Sequence, residues 1–365
     1  MRKPSILVIG PSPDRSKGGM ATVIDEIRCD KELNTNFNID IYDSYIDGNI
    51  FKRLGFSVLS FTRFLYTKKN YDIYHIHAAS RGSTFRKGFY TKAVKRWGKK
   101  SILHIHGAEY MEFYNELDGR KRKKMLNILK VADMVIALSE DWKQKFENVF
   151  GITNCVVLEN GINMERLKPA ITEPVKHQKE FVCLGQLGKR KGSYDLVKAI
   201  KLAKKQVPDI KLYLAGDGEI NQVTSEVQKE RLQDNIEIIG WADFQKKISL
   251  LQTVSTVVLP SYNEGLPMSI LEGMACGKAI ISSTVGAIPE VITEENGILI
   301  EAGDIEALAN ALVKCATDIE MISHMGFNNM RKIENEFSMK NMHKKLSDYY
   351  YNVLEKSNDY VYKKE

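Results

Sequence analysis

Cysteine is sparse in this chain and nothing pairs it. The five cysteines (Cys29, Cys155, Cys183, Cys276 and Cys315) are scattered over 365 residues, odd in number, with no Cys-x-x-Cys. That spacing argues against a disulfide framework and a zinc site, and for reduced thiols in a cytoplasmic setting. The opening Met-Arg-Lys-Pro-Ser-Ile-Leu-Val-Ile-Gly lacks a long apolar run followed by a cleavage site, so no signal peptide is expected. No apolar stretch is long enough to cross a bilayer. Low-complexity segments and short-period repeats are missing too, and so is any Asp-x-Asp pair for a divalent metal.

Acid is nearly absent from one block. Residues 51–100 hold 13 Lys/Arg and a single acid, Asp72, a local balance of +12. The whole chain carries +7, so the remainder sums to −5. Such asymmetry predicts an anionic partner. Within the block, Phe51, Leu54, Val58, Phe61 and Leu65 fall on one face of a predicted helix from Phe51 to Tyr66. Lys52, Arg53, Arg63, Lys68 and Lys69 decorate and follow it. A basic amphipathic helix suits an anionic bilayer, and equally the rim of a sheet. Phe85, Phe89, Tyr90 and Trp97 lie among further cations and suit an interface.

With 43% hydrophobic residues, the chain has enough apolar material for about two domains. Short β-branched strands alternate with amphipathic helices, the pattern of doubly wound α/β folds. In the first half, Ser5–Gly10 reads as a strand, and Gly18 and Gly19 open a helix. That turn is friendly to phosphate, and an ordinary tight turn reads the same way. Asp72–His77 and Ser101–His106 read as strands that both end in His-Ile-His. Alternation puts His104 and His106 on one face. With no third ligand in view, a metal site is not expected there. His106-Gly107-Ala108-Glu109 follows the strand, where such folds bind ligands. Residues 168–179 hold two prolines and read as an extended linker.

The second half carries the sharper signals. Gly185 to Gly192 places Lys189, Arg190 and Lys191 between glycines and ahead of a helix, a setting that suits a diphosphate. Thr256–Leu259 reads as a buried strand stopped by Pro260. Asn263, Glu264 and Gly265 form a polar turn, and a helix begins at Pro267. Glu264 then stands at the carboxyl end of a strand and Glu272 inside the following helix. A sugar joined to a diphosphate fits this corner: a carboxylate for hydroxyls, bare amides for phosphate, a second carboxylate for ribose.

Glu264 and Glu272, with seven residues between them, with Glu-Gly-Leu-Pro and the later Gly-Ala-Ile-Pro-Glu, resemble the Glu-x7-Glu element of the GT-B glycosyltransferases of family 4. The segment from Gly185 to Gly192 is similar to that family's Gly-Arg-Leu-x-x-x-Lys-Gly, with Gln186 where the family has arginine. His106-Gly107 resembles its His-Gly segment, and Glu159 to Asn163 its domain-closing turn. The resemblance is strong over 181–292 and weak over 20–100.

It implies a GT-B fold: an N-terminal Rossmann-like domain over 1–167 and a nucleotide-sugar-binding one over 180–337, facing across a cleft. The last helix, about 338–365, would pack back on the first domain. It implies a retaining, metal-independent transferase with no cofactor. The donor would be a UDP- or GDP-linked sugar. The acceptor would be a hydroxyl of a glycan or lipid-linked saccharide in surface polysaccharide or glycoconjugate synthesis. His106 and Glu264 would be catalytic. Gly18, Gly19, Arg190, Lys191, Gly265, Leu266, Pro267, Met268 and Glu272 would hold the donor, with Lys191 on phosphate, Arg190 offsetting the lost arginine, and Glu272 on ribose. The enzyme would work at the cytoplasmic membrane face through residues 51–100, and no nucleic acid is expected. Two alternatives stay open: a GT-B sugar-nucleotide epimerase, and a non-catalytic basic protein binding nucleic acid, whose affinity would fall steeply with salt.

Overall fold

The computed structural model describes residues 2–16, 18–107, 109–171 and 178–355. Ala108, residues 172–177 of the linker segment, and residues 356–365 lie outside them. The chain divides into two compact units, Met1–Gly161 with Lys340–Glu365, and Ile162–Met339.

The first unit is built on six parallel strands: β1 (Ser5–Pro11), β2 (Asn38–Tyr45), β3 (Ile73–Ala78), β4 (Lys100–Ile105), β5 (Met134–Ala137) and β6 (Cys155–Val157). Their order is β2-β1-β3-β4-β5-β6. The sheet is doubly wound, so its central strands are covered on both faces; every residue of β3 and β5 is buried. Ile6, Leu7, Val8 and Ile9 fill β1 for the same reason.

The final helix, Met339–Glu355, belongs to this unit. Tyr350 packs edge-on to Phe37, the Tyr349 hydroxyl donates to the Val157 carbonyl at 2.6 Å, and His343 Nδ1 lies 2.6 Å from Asp30.

The second unit repeats the scheme with β7 (Glu180–Leu184), β8 (Lys211–Ala215), β9 (Ile236–Gly240), β10 (Thr256–Leu259), β11 (Ala279–Ser283) and β12 (Gly297–Ile300), in the order β12-β11-β10-β7-β8-β9. All pairings in both sheets are parallel. The chain reverses direction across each sheet at β1/β3 and at β7/β10. The carboxyl ends at such a switch are where loops diverge and open a site.

Of the expectations about the basic block, one is narrowed and one needs correction. The helix forms, over Ile50–Thr67, capped by the Asn49 side chain accepting from the Lys52 amide. The apolar stripe of its first half lies largely in solvent and does not cover the sheet: Phe51 is 83% exposed, Leu54 63% and Val58 60%. Only the C-terminal half packs, through Phe61, Phe64 and Leu65. Phe64 stands 4.8 Å from the Tyr90 ring and 5.0 Å from that of Trp97. Tyr90, Trp97 and Phe85 are therefore core and not interface; of the four aromatics, Phe89 alone is exposed. Helical spacing identifies an apolar stripe but not what covers it.

Candidate active site

In the second unit, β10 ends at Leu259 and the chain turns through Asn263-Glu264-Gly265 into the helix Met268–Ala275. Pro267 is the residue before that helix, not its first one, and no side chain caps the helix. Its leading N–H groups therefore present partial positive charge.

Glu264 is buried, and Lys191 reaches it: Nζ lies 2.5 Å from Oε1. Lys191 closes the short 3-10 turn Lys189–Lys191, which is held against the β10 loop because the Tyr262 amide donates to the Arg190 carbonyl at 2.8 Å. Arg190 follows the same route. Its Nη1 donates to the Asn263 carbonyl at 3.0 Å and stands 3.9 Å from Glu264. Two cations, one carboxylate and an uncapped helix start are thus gathered at one strand end.

The Gly-Ala-Ile-Pro-Glu segment supports this from behind. The Ala287 amide donates to the Gly265 carbonyl at 3.0 Å. Gly286 has φ +58, and a Cβ there would lie 2.0 Å from the Glu264 carbonyl oxygen. Only glycine permits that approach. Gly265, Leu266 and Pro267 are buried and Met268 is partly exposed. Glu272, one turn into the helix, is held by Lys247 at 2.6 Å from the helix Phe244–Thr253. Sequence reasoning passed over Lys247. It is one of two adjacent lysines behind an Asp243 cap, and nothing local marks it. Gln186 is exposed.

The remaining expected residues lie in the first unit. Gly18 has φ +113 and precedes the helix Gly19–Cys29, which has no side-chain cap and no acid in its first turn. His106 follows β4, its amide donating to the Ala78 carbonyl at 2.8 Å. Its Nε2 lies 2.9 Å from His77 Nδ1. Burial lowers the His106 pKa to about 3, so the imidazole is neutral at physiological pH.

The premise that no third imidazole stands near His104 is overturned. Strands β3 and β4 pair in register, His77 opposite His104, which brings His75, His77 and His104 within 4.8 Å of one another by their ligand atoms. Their nitrogens are partly committed already: His75 Nε2 to His104 Nδ1 at 3.2 Å, and His75 Nδ1 to the Tyr350 hydroxyl at 2.8 Å. A cation there would have to break these bonds. Burial, with the neighbouring imidazoles, keeps all three far below the usual histidine pKa.

The comparisons with known proteins fit this architecture. Residues 178–318 match the family described as glycosyl transferases group 1, and residues 32–166 match glycosyltransferase family 4. An uncharacterized glycosyltransferase of Methanocaldococcus jannaschii is 29% identical over 259 residues, covering 67% of this chain and 64% of that protein. The match thus spans just under two thirds of that relative's length. The UDP-Gal:alpha-D-GlcNAc-diphosphoundecaprenol alpha-1,3-galactosyltransferase of Escherichia coli is 27% identical over 315 residues, 80% of this chain and 78% of that one. The crystal structure of Anabaena HepE in complex with UDP and glucose superposes with a TM-score of 0.76 at 17% identity, covering 96% of this chain and 100% of that one.

The class is that of GT-B proteins with two doubly wound sheets. Within it, this chain belongs to the group 1, family 4 glycosyltransferases: it is a transferase. A purely nucleic-acid-binding role falls with that assignment.

Proposed function

We propose that the protein transfers a sugar from a nucleoside diphosphate sugar to a hydroxyl of a lipid-linked saccharide, with retention at the anomeric carbon. The observation that carries this is the Lys191–Glu264 pair, 2.5 Å apart beside an uncapped helix start. Lys191, Arg190 and the backbone amides of Gly265, Leu266 and Met268 take the diphosphate. Glu264 holds sugar hydroxyls, Glu272 accepts from the ribose hydroxyls, and the neutral His106 meets the sugar. Gly18 and Gly19 complete the donor contacts.

In the reaction the acceptor oxygen bonds to the anomeric carbon as the bond from that carbon to the diphosphate oxygen breaks. The electron pair leaves with the nucleoside diphosphate. With front-face attack, the acceptor proton passes to the departing oxygen. Charge grows on the diphosphate, and the fixed cations lower the barrier by stabilising it. No metal is invoked.

The acceptor reading draws on the Escherichia coli relative, whose name specifies a diphosphoundecaprenol acceptor. It draws equally on the exposed Ile50, Phe51, Leu54 and Val58 among cations, which suit a peripheral contact with an anionic membrane. The carrier is a UDP- or GDP-linked sugar, as the names of the relatives suggest: UDP-Gal for the Escherichia coli enzyme and GDP-mannose for one of Corynebacterium glutamicum.

Calorimetric titration of UDP, GDP and ADP into the intact protein and Glu272→Ala tests the donor site. One nucleotide should bind, about tenfold or more weaker in the variant, the scale of a lost charge-assisted hydrogen-bond pair. Absence of binding for all three, or equal affinity in both proteins, would remove the donor site from this corner.

A further inference from the structure

The first unit contains a second gathering of cations, which no acid among the described residues neutralises. Arg53, on the helix Ile50–Thr67, and Arg86, on the helix Gly82–Arg96, both lie over the Tyr45 ring at the end of β2, with guanidinium carbons 5.3 and 5.6 Å from its centroid. Neither guanidinium has a carboxylate partner among the described residues. Asp43, the nearby acid on β2, is taken by Arg15 at 2.8 Å.

Lys87 is buried behind Arg86, bonded to the Ser44 hydroxyl, which itself donates to the Gly10 carbonyl at 2.8 Å. Burial, then Arg86, brings the Lys87 pKa down to about 7. Burial, among other neighbours Arg53, also lowers that of Arg86.

Two further features point the same way. Arg86 Nη1 lies against Gly82, 3.4 Å from where a Cβ would sit, so a cation rests on the positive end of a helix that no side chain caps. The Ser12 hydroxyl is wholly buried and has no hydrogen-bond partner, while the Ser12 amide donates to the Tyr45 carbonyl at 2.9 Å. Like charges held together at a helix N-terminus repel one another, and an anion among them relieves that repulsion.

We propose that Arg53, Arg86 and Lys87 bind a phosphoryl group of the acceptor, the diphosphate through which a saccharide is carried on its lipid. This rests on the acceptor reading above and deepens it. Ile50 and Leu54 project into solvent from the same turn of helix as Arg53. An apolar chain leaving the diphosphate has a surface to follow there. Arg53 and Arg86 offer planar forks that match phosphate oxygens, and Lys87 adds a point charge that an arriving anion would keep protonated.

The test is calorimetric titration of the intact protein with farnesyl diphosphate and with inorganic diphosphate. Arg53→Gln, Arg86→Gln, Arg86→Lys and Lys191→Ala are compared, with melting curves to confirm folding. Farnesyl diphosphate should bind, weaken on the order of tenfold or more in each glutamine variant, recover in part in Arg86→Lys, and survive Lys191→Ala. Tighter binding of the farnesyl ester than of inorganic diphosphate assigns the site to a lipid headgroup. Equal binding, still lost in the glutamine variants, assigns it to free diphosphate. Binding that is lost in Lys191→Ala and kept in Arg86→Gln would overturn the site, as would no binding at all. Because the Lys191 arm is separate, failure of the donor corner is not confused with failure here.

Discussion

Lys191 Nζ lies 2.5 Å from Glu264 Oε1, and both side chains are mostly shielded from solvent. A shielded pair of this kind holds each partner where the other needs it. Replacing only one leaves the other charge buried and unpaired, at a cost of several kcal/mol. Lys191→Ala should therefore lose donor affinity and also soften the second unit. Lys191→Arg should keep the charge but displace Glu264, because the guanidinium is wider than the ammonium. We expect kcat/KM for the donor to fall by roughly a hundredfold or more in Lys191→Ala. Steady-state kinetics read beside a melting curve check this. An alanine variant with unchanged kcat/KM would show that the pair is only structural.

Gly192 separates those cations from the helix Ser193–Ala203. It has φ +70, and a Cβ there would lie 2.3 Å from the Pro260 carbonyl oxygen. Gly192→Ala must either move the Lys189–Lys191 turn or push β10's end away. The expected loss is about 1–3 kcal/mol of stability together with weakened nucleotide binding. Urea denaturation and nucleotide titration on one preparation measure both. A variant with wild-type values in each would mean that the turn does not depend on this approach.

The second unit was the more legible of the two. Pro260, Gly265, Pro267 and Gly277 punctuate one short strand-turn-helix, so local rules place Glu264 at a strand end without tertiary information. The Gly-Ala-Ile-Pro-Glu segment could be matched as a motif. Its physical reason, the approach of Gly286 to the Glu264 carbonyl, needs two loops in space. Lys247 was invisible because its meeting with Glu272 depends on how two helices lie over the sheet. In the first unit, strand alternation identified His104 and His106 as neighbours. It could not tell that β3 lies beside β4 in the register that adds His75 and His77. The basic helix shows the limit most clearly. Its apolar stripe was readable, but whether a sheet or solvent covers Phe51 and Leu54 is decided by distant chain segments.

The buried imidazoles set an acid limit on the first unit. His75, His77 and His104 are essentially inaccessible to solvent, and burial is the main cause of their lowered pKa, to about 3 for His75. The unfolded chain takes up protons near the ordinary histidine pKa of about 6.5, whereas the folded chain does not. Above that pH both states are neutral and nothing is lost. As pH falls below it, stability should drop by about 1.4 kcal/mol per pH unit for each imidazole, until the folded groups themselves protonate. Urea unfolding at pH 7.5 and 5.5 would show this. Trp97 and Trp142 lie in the first unit, and replacing Trp241 of the second unit by phenylalanine makes the fluorescence readout local. His75→Phe should flatten the slope, and a pH-independent midpoint would mean that the cluster is charged or open in the folded state.

The exposed half of the basic helix makes the membrane reading measurable without touching the core. Phe51 and Leu54 are mostly in solvent, so Phe51→Glu with Leu54→Glu should leave the melting temperature nearly unchanged, as surface substitutions usually do. Binding to vesicles of phosphatidylcholine with anionic phosphatidylglycerol should weaken strongly, since apolar insertion and charge attraction are both reduced. Wild-type binding should also fall with added salt, because the Debye length shrinks from about 10 Å at 0.1 M to about 3 Å at 1 M. Flotation of protein with vesicles at two salt concentrations gives both numbers. If the double variant floats as well as the wild type, the helix does not touch lipid, and its apolar stripe must serve a protein partner instead.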